Sequence, residues 1–179
     1  IIDYLFDQKF KSISIYLSSD QNFKRPNDEI LAVCTAESIL CNEYLPTVVE
    51  THNTQVLIAG TLDRLPTFFK ESLLNINELS LSKTKTRLYL CVAYNPIEEI
   101  VQACKKSKKM DKLPNNLWVF EPMNIVVRSS GDNTLSNFLP LQAAYSRLYF
   151  IPKYFNDLAV EDFQAVLHNY QSLNLRYGE

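Results

Sequence analysis

The sequence predicts an α/β fold built on a mainly parallel sheet, and three observations carry that expectation. Short β-branched, apolar runs alternate along the chain with longer stretches of helical periodicity. Those runs are almost continuously apolar, as in strands covered on both faces. The 179 residues are 46% hydrophobic and 21% charged with a formal net charge of -2, a globular balance in a length that suits one domain over residues 1–179.

The first predicted strand is SISIYL (12–17). Next comes PNDEILAVCTAESILCNEYL (26–45), a helix that Pro26 and the acidic first turn would start well. TQVLIAG (54–60) is the second strand, and LPTFFKESLLNINEL (65–79) the helix after it, with Pro66 near its start. RLYLCVAY (87–94) precedes PIEEIVQACKKSKK (96–109), where Pro96 opens the helix and lysines suit the negative end of its dipole. MNIVVRSS (123–130) and the shorter RLYFI (147–151) are the last strands. VEDFQAVLHNYQSLNLRYG (160–178) closes the chain, with Phe163, Val166, Leu167 and Tyr170 at helical spacing. Phe68, Phe69, Phe163 and Tyr170 are read first as core aromatics. KKSKKMDKLPNN (105–116) is a polar surface excursion, whose lysine run is either simply solvated or suited to an anionic membrane surface.

Several function classes fall away. The charge gives no basic field for nucleic acid. No apolar run approaches the ~20 residues of a membrane span, and no signal peptide is visible. Cys34, Cys41, Cys91 and Cys104 form no CxxC pair, and His52 and His168 have no ligand spacing, so the cysteines read as reduced, buried thiols of an intracellular protein. The start at Ile1 without an initiator methionine reads as a fragment or trimmed chain. Only three glycines occur, Gly60, Gly131 and Gly178, so each marks a place where backbone freedom matters.

MNIVVRSSGDNTLSNFLPLQAAYSRLYF (123–150) resembles the signature of the cis-prenyltransferases, roughly D-L-x-I-R-T-[SG]-G-E-x-R-[LI]-S-N-F-L-x-W-Q-x-A-Y-x-E-L-Y-F. The likeness continues through SISIYLSSDQNFKRPNDEI, IAGTLDRLP, YNPIEEIVQA and the ending VEDFQAVLHNYQSLNLRYG, so it covers nearly the whole chain. All three glycines fall where the family also uses glycine. The resemblance implies a six-stranded, mostly parallel sheet flanked by helices, with an apolar tunnel and a dimer of like or unlike subunits. The family's first strand, with its D-G-N-G-R-W segment and catalytic aspartate, would precede Ile1. The implied reaction condenses isopentenyl diphosphate onto an allylic diphosphate with Mg²⁺, giving a polyprenyl diphosphate of the undecaprenyl or dolichyl type. The physical demand is to neutralise a leaving diphosphate while an apolar chain stays dry.

By the same resemblance Arg128 and Ser136 hold the incoming isopentenyl diphosphate, and Ser19, Asn22 and Arg25 belong to a second diphosphate-facing segment. Thr134 replaces a second arginine whose bidentate grip a hydroxyl cannot copy. Arg147 replaces the Mg²⁺-ligating glutamate and reverses its charge; in that place it would repel a cation or hold a diphosphate oxygen itself. Asp132 shortens a glutamate. The family's N-Y-G-G-R reads Ala93, Tyr94, Asn95, Pro96, Ile97. Arg176 and Gly178 keep the Arg-x-Gly terminus that in unlike-subunit dimers assists the partner's site. Without the resemblance, Arg128 is an ion-pair partner, Ser136 and Asn137 cap a helix over 138–145, and Arg176 with Gly178 merely ends a helix.

These departures predict a cis-prenyltransferase-fold subunit with a degraded site of its own, acting beside a competent partner. The alternatives are a divergent active synthase whose catalytic aspartate lies upstream, and a non-catalytic scaffold. LYFIPKYF (148–155) lies in the region the family uses for dimerisation, its plainer role being to pack on the closing helix. A lipid product implies peripheral contact with a cytosol-facing membrane, the endoplasmic reticulum in a eukaryote.

Overall fold

The computed structural model describes residues 1–173. The chain divides into two compact units, one of residues 2–121 and one of residues 122 onward together with Ile1.

In the first unit, β1 (Ser12–Tyr16), β2 (Thr54–Gly60) and β3 (Thr86–Val92) form a parallel sheet in the order β1-β3-β2. Register runs from Ser12 opposite Arg87 to Tyr16 opposite Cys91, and from Thr54 opposite Thr86 to Gly60 opposite Val92. The central strand is the most apolar and the most buried, with Leu88 to Val92 all closed to solvent. β2 ends at a glycine because nothing else fits: a Cβ on Gly60 would lie 1.7 Å from the Val92 carbonyl oxygen.

The helices of this unit are α1 (Ile2–Asp7), α2 (Asn27–Ile39), α3 (Leu45–His52), α4 (Thr67–Leu79) and α5 (Pro96–Lys106). Phe69, Leu73 and Ile76 recur at helical spacing on α4 and are fully buried, each contributing about 1.5–3 kcal/mol. Phe68, beside them, is exposed. α5 follows its signals closely: the Asn95 side chain accepts from the Ile97 N–H at 2.9 Å, Pro96 takes the first turn, and Lys105 and Lys106 the last.

Three expectations change here. The helix predicted over 26–45 is interrupted by a π-turn at Leu40–Tyr44 before α3. Pro46 has no N–H to donate, and the widened turn absorbs the missing bond. α1 was not foreseen; its Phe6 ring lies 5.3 Å from that of His52, whose Nε2 is 3.0 Å from Asp3 Oδ1. Cys34, Cys41 and Cys91 are buried free thiols, but Cys104 is exposed because it lies on the outer face of α5. Burial, and then the nearby Glu37 carboxyl, push the Cys34 thiol up to about 11 and the Cys41 thiol to about 12.

In the second unit β4 (Ile125–Arg128) and β5 (Arg147–Phe150) form a two-stranded parallel ladder, followed by α6 (Val160–Ser172). Among the described residues there are five strands, and all their pairings are parallel, as expected for a mainly parallel sheet. β5 is largely exposed, not covered on both faces. The helix expected over 138–145 is absent. Ser136, Asn137 and Leu139 all have left-handed φ, at 47°, 63° and 44°, and the segment winds through turns instead. α6 buries Val166 and Leu167, while Phe163 and Tyr170 are half-buried. Among the described residues no helix is long and apolar enough to cross a membrane.

Candidate diphosphate site

Parallel strands aim their carboxyl ends at one edge of a sheet, where α/β proteins commonly build sites. In the first unit that edge gathers two of the expected segments. Ser19 pairs with Tyr94 in a parallel bridge, the Tyr94 N–H donates to the Ser18 carbonyl at 3.0 Å, and the Ala93 N–H donates to Ser18 Oγ at 3.1 Å. Asn95 Nδ2 donates to Asp20 at 3.0 Å. Asn22 Oδ1 takes bonds from both the Ser19 N–H, at 2.7 Å, and the Ser19 hydroxyl, at 2.8 Å, and so closes the turn at Asp20–Lys24. Ser19 and Asn22 are therefore bonded to each other. Arg25 points away to Glu29, 2.6 Å distant and exposed.

The structure adds Arg64, which the sequence reading passed over. It follows the carboxyl end of β2 and reaches Glu98 at 3.5 Å, whose other oxygen accepts from the Thr61 hydroxyl at 2.5 Å. Arg64 borders an open cavity of about 500 Å³ with Phe23, Ile30, Leu31 and Leu65 on its apolar side. A basic residue soon after a parallel strand's carboxyl end was the available signal.

In the second unit Arg128 ends β4, and the loop after it turns back across the strand end. Ser130 and Gly131 both take left-handed φ, at 83° and 78°, and a Cβ at Gly131 would meet nothing within 4 Å. The turn thus brings the loop's short polar side chains to the guanidinium. Arg128 Nη1 donates to Ser136 Oγ at 2.7 Å and Nη2 to Asp132 at 3.1 Å, while Thr134 Oγ1 lies 3.2 Å from Ser136 Oγ. Arg128 Nε is buried and has no hydrogen-bond partner among the described residues. The structure therefore brings Arg128, Asp132, Thr134 and Ser136 together. The group can present a guanidinium and hydroxyls to an anion that displaces the exposed Asp132 carboxylate.

Arg147 is not part of that cluster. It opens β5 opposite Ile125, whereas Arg128 lies opposite Phe150. Three residues along a strand separate the two positions by about 10 Å. Among the described residues no group of three or more His, Cys, Asp or Glu side chains is placed to hold a metal ion. With an arginine at the expected ligand position and Asp132 as the carboxylate bonded to Arg128, the described residues do not by themselves compose a Mg²⁺ site. Arg176 and Gly178 lie outside the described residues.

A family profile described as "Putative undecaprenyl diphosphate synthase" matches residues 1–178. The chain belongs to the undecaprenyl diphosphate synthase family. It is 28% identical over 187 residues to an isoprenyl transferase of Staphylococcus haemolyticus, covering 96% of this chain and 73% of that protein. It is also 28% identical to a farnesyl-diphosphate-specific ditrans,polycis-undecaprenyl-diphosphate synthase of Micrococcus luteus, covering 99% of this chain and 77% of the relative. Lavandulyl diphosphate synthase of Lavandula x intermedia, solved with dimethylallyl diphosphate, superposes with a TM-score of 0.91 at 24% identity, covering all of this chain and 84% of that one. A "probable undecaprenyl diphosphate synthase" of Campylobacter jejuni gives 0.89 at 23% identity, covering 99% and 88%. These two establish the fold. The family makes polyprenyl diphosphates from isopentenyl and allylic diphosphates.

Proposed function

We propose that this undecaprenyl diphosphate synthase family member, reading residues 1–179 as one domain, is a subunit of a cis-prenyltransferase that binds isopentenyl diphosphate weakly and depends on a competent partner for turnover. The observation that carries this reading is the loop around Arg128. Its guanidinium is oriented by Ser136 and Asp132, yet Thr134 stands where a second cation would complete the grip. One arginine and two hydroxyls suit a single phosphate group better than a diphosphate. The charge reversal at Arg147 and the loss of the family's glycines and arginine over Ala93 to Ile97 support the same conclusion. Exposed Tyr154 and Phe155 in the dimerisation region of the family support a partner subunit.

A divergent active synthase is the second reading, favoured by the retained bonding of Ser19 with Asn22 and of Arg128 with Ser136. Incorporation of radiolabelled isopentenyl diphosphate with farnesyl diphosphate and Mg²⁺ separates the two. The expected result is no incorporation by the protein alone and stimulation of a co-purifying prenyltransferase, abolished by Arg176→Ala. Sustained turnover by the protein alone overturns the accessory reading. Stimulation that survives Arg176→Ala points to a scaffold.

A further inference from the structure

The excursion after α5 concentrates positive charge in a chain whose formal net charge is -2. Five of the 18 basic residues, Lys105, Lys106, Lys108, Lys109 and Lys112, fall within eight positions, and all are exposed. Among the described residues Lys112 has only its neighbour Asp111 for an ion-pair partner, 3.7 Å away, and the other four lysines have none. In their midst Met110 is 82% exposed.

The segment is held in shape. Asn116 Nδ2 donates to Ser107 Oγ at 2.9 Å and to the Lys112 carbonyl at 3.1 Å, closing its base. Short 3-10 turns at Met110–Lys112 and Pro114–Asn116 fix the rest. The exposed outer face of α5 leading into it carries Val101 and Cys104.

We propose that this lysine-ringed excursion docks the protein on the surface of an anionic phospholipid bilayer. Lysines are compact, mobile point charges that suit a diffuse field of headgroups, and none of the five is an arginine with the fork that grips one phosphate. An exposed methionine between them adds apolar surface that a headgroup field alone would not call for and an acyl boundary can take up. At a bilayer interface it enters the acyl boundary while the lysines remain among the headgroups. No aromatic side chain that could stack on a base lies within residues 105–116.

Co-sedimentation with vesicles tests this, using phosphatidylcholine alone and phosphatidylcholine with one third phosphatidylglycerol. Binding is expected on the anionic vesicles only and should weaken with salt. Each lysine changed to glutamine should lower partitioning roughly fivefold, so that the variant with all five changed falls to background. Met110→Ser should weaken binding a few-fold with the charge dependence intact. All six side chains are exposed, and circular dichroism of each variant verifies its fold. Equal binding to neutral vesicles, undiminished binding by the five-glutamine variant, or binding to polyglutamate or poly-uridine but not to vesicles overturns the proposal. The assay counts bound protein and needs no turnover, so its failure leaves the prenyltransferase reading intact, and the reverse also holds.

Discussion

Thr134 Oγ1 lies 3.2 Å from Ser136 Oγ, the hydroxyl that accepts from Arg128. The side chain in the place of the family's second arginine is therefore already beside the Arg128–Ser136 pair but carries no charge. Thr134→Arg should tighten isopentenyl diphosphate binding by about tenfold, the scale of one added charge-assisted hydrogen bond. Isothermal titration calorimetry checks this; unchanged affinity would remove the loop from the substrate site.

Asp132 occupies the guanidinium that a phosphate would need, but it is exposed and its ion pair is correspondingly weak. Asp132→Asn should strengthen diphosphate binding about two- to fivefold, a surface-pair effect of at most ~1 kcal/mol. Arg128→Ala should eliminate it. Equal losses from both substitutions would show that Asp132 orients Arg128 more than it competes with the ligand.

Glu37 sits on the inward face of α2, with Cys34 and Cys41 one turn to either side; its Oε2 is buried and unpartnered. Burial raises its carboxyl from 4.5 to about 7. The folded protein therefore retains a proton that the unfolded chain releases, and stability falls as pH rises from about 4.5 through 7 and levels off above. Glu37→Gln should stabilise at pH 8 by about 1–3 kcal/mol and change little at pH 4, as urea unfolding at both pH values would measure. An equal effect at both would show that the carboxylate is not desolvated.

Glu99 is buried on α5, where it accepts from the Tyr94 hydroxyl at 2.5 Å and from the Val119 N–H at 2.8 Å. Burial and this bond both push the Tyr94 phenol upward. Glu99→Ala removes the acceptor of both bonds and should cost about 2–4 kcal/mol in denaturant unfolding. A loss below the scale of a surface substitution would mean that water replaces the carboxylate.

Gly60→Ala should cost at least about 3 kcal/mol, since the added carbon meets backbone that cannot yield without parting β2 from β3. A melting temperature near the parent's would contradict the approach of Val92 to that position.

Much of this architecture was legible because its causes are local. TQVLIAG is a strand over its whole predicted length, and Pro66 and Asn95 with Pro96 start α4 and α5 where proline and cap chemistry demand. Ends that depend on the backbone beyond were less so: RLYLCVAY stops at Val92 because Ala93 has φ 44°, and MNIVVRSS at Arg128 before the left-handed Ser130. α1 is too short to show a period, and the contacts of Phe6 and Asp3 with His52 hold it in place. At the site, the resemblance to the family named Arg128, Thr134, Ser136 and Arg147. The engagement of Arg128 by Asp132 follows from a local turn, and the distance of Arg147 from Arg128 from a strand register. That register pairs residues 22 positions apart, such as Ile125 with Arg147, which no short window of sequence contains.

The left-handed residues after Arg128 bear on how a ligand would be received. Ser130, Gly131, Ser136, Asn137 and Leu139 each give up conformational freedom when the chain folds, and the bonds among Arg128, Asp132, Thr134 and Ser136 hold the loop in that form. An anion arriving at Arg128 would exchange one carboxylate for itself on a scaffold that is already ordered. Little further entropy is lost at that moment, so even a loop short of one arginine can keep a useful hold on a phosphate.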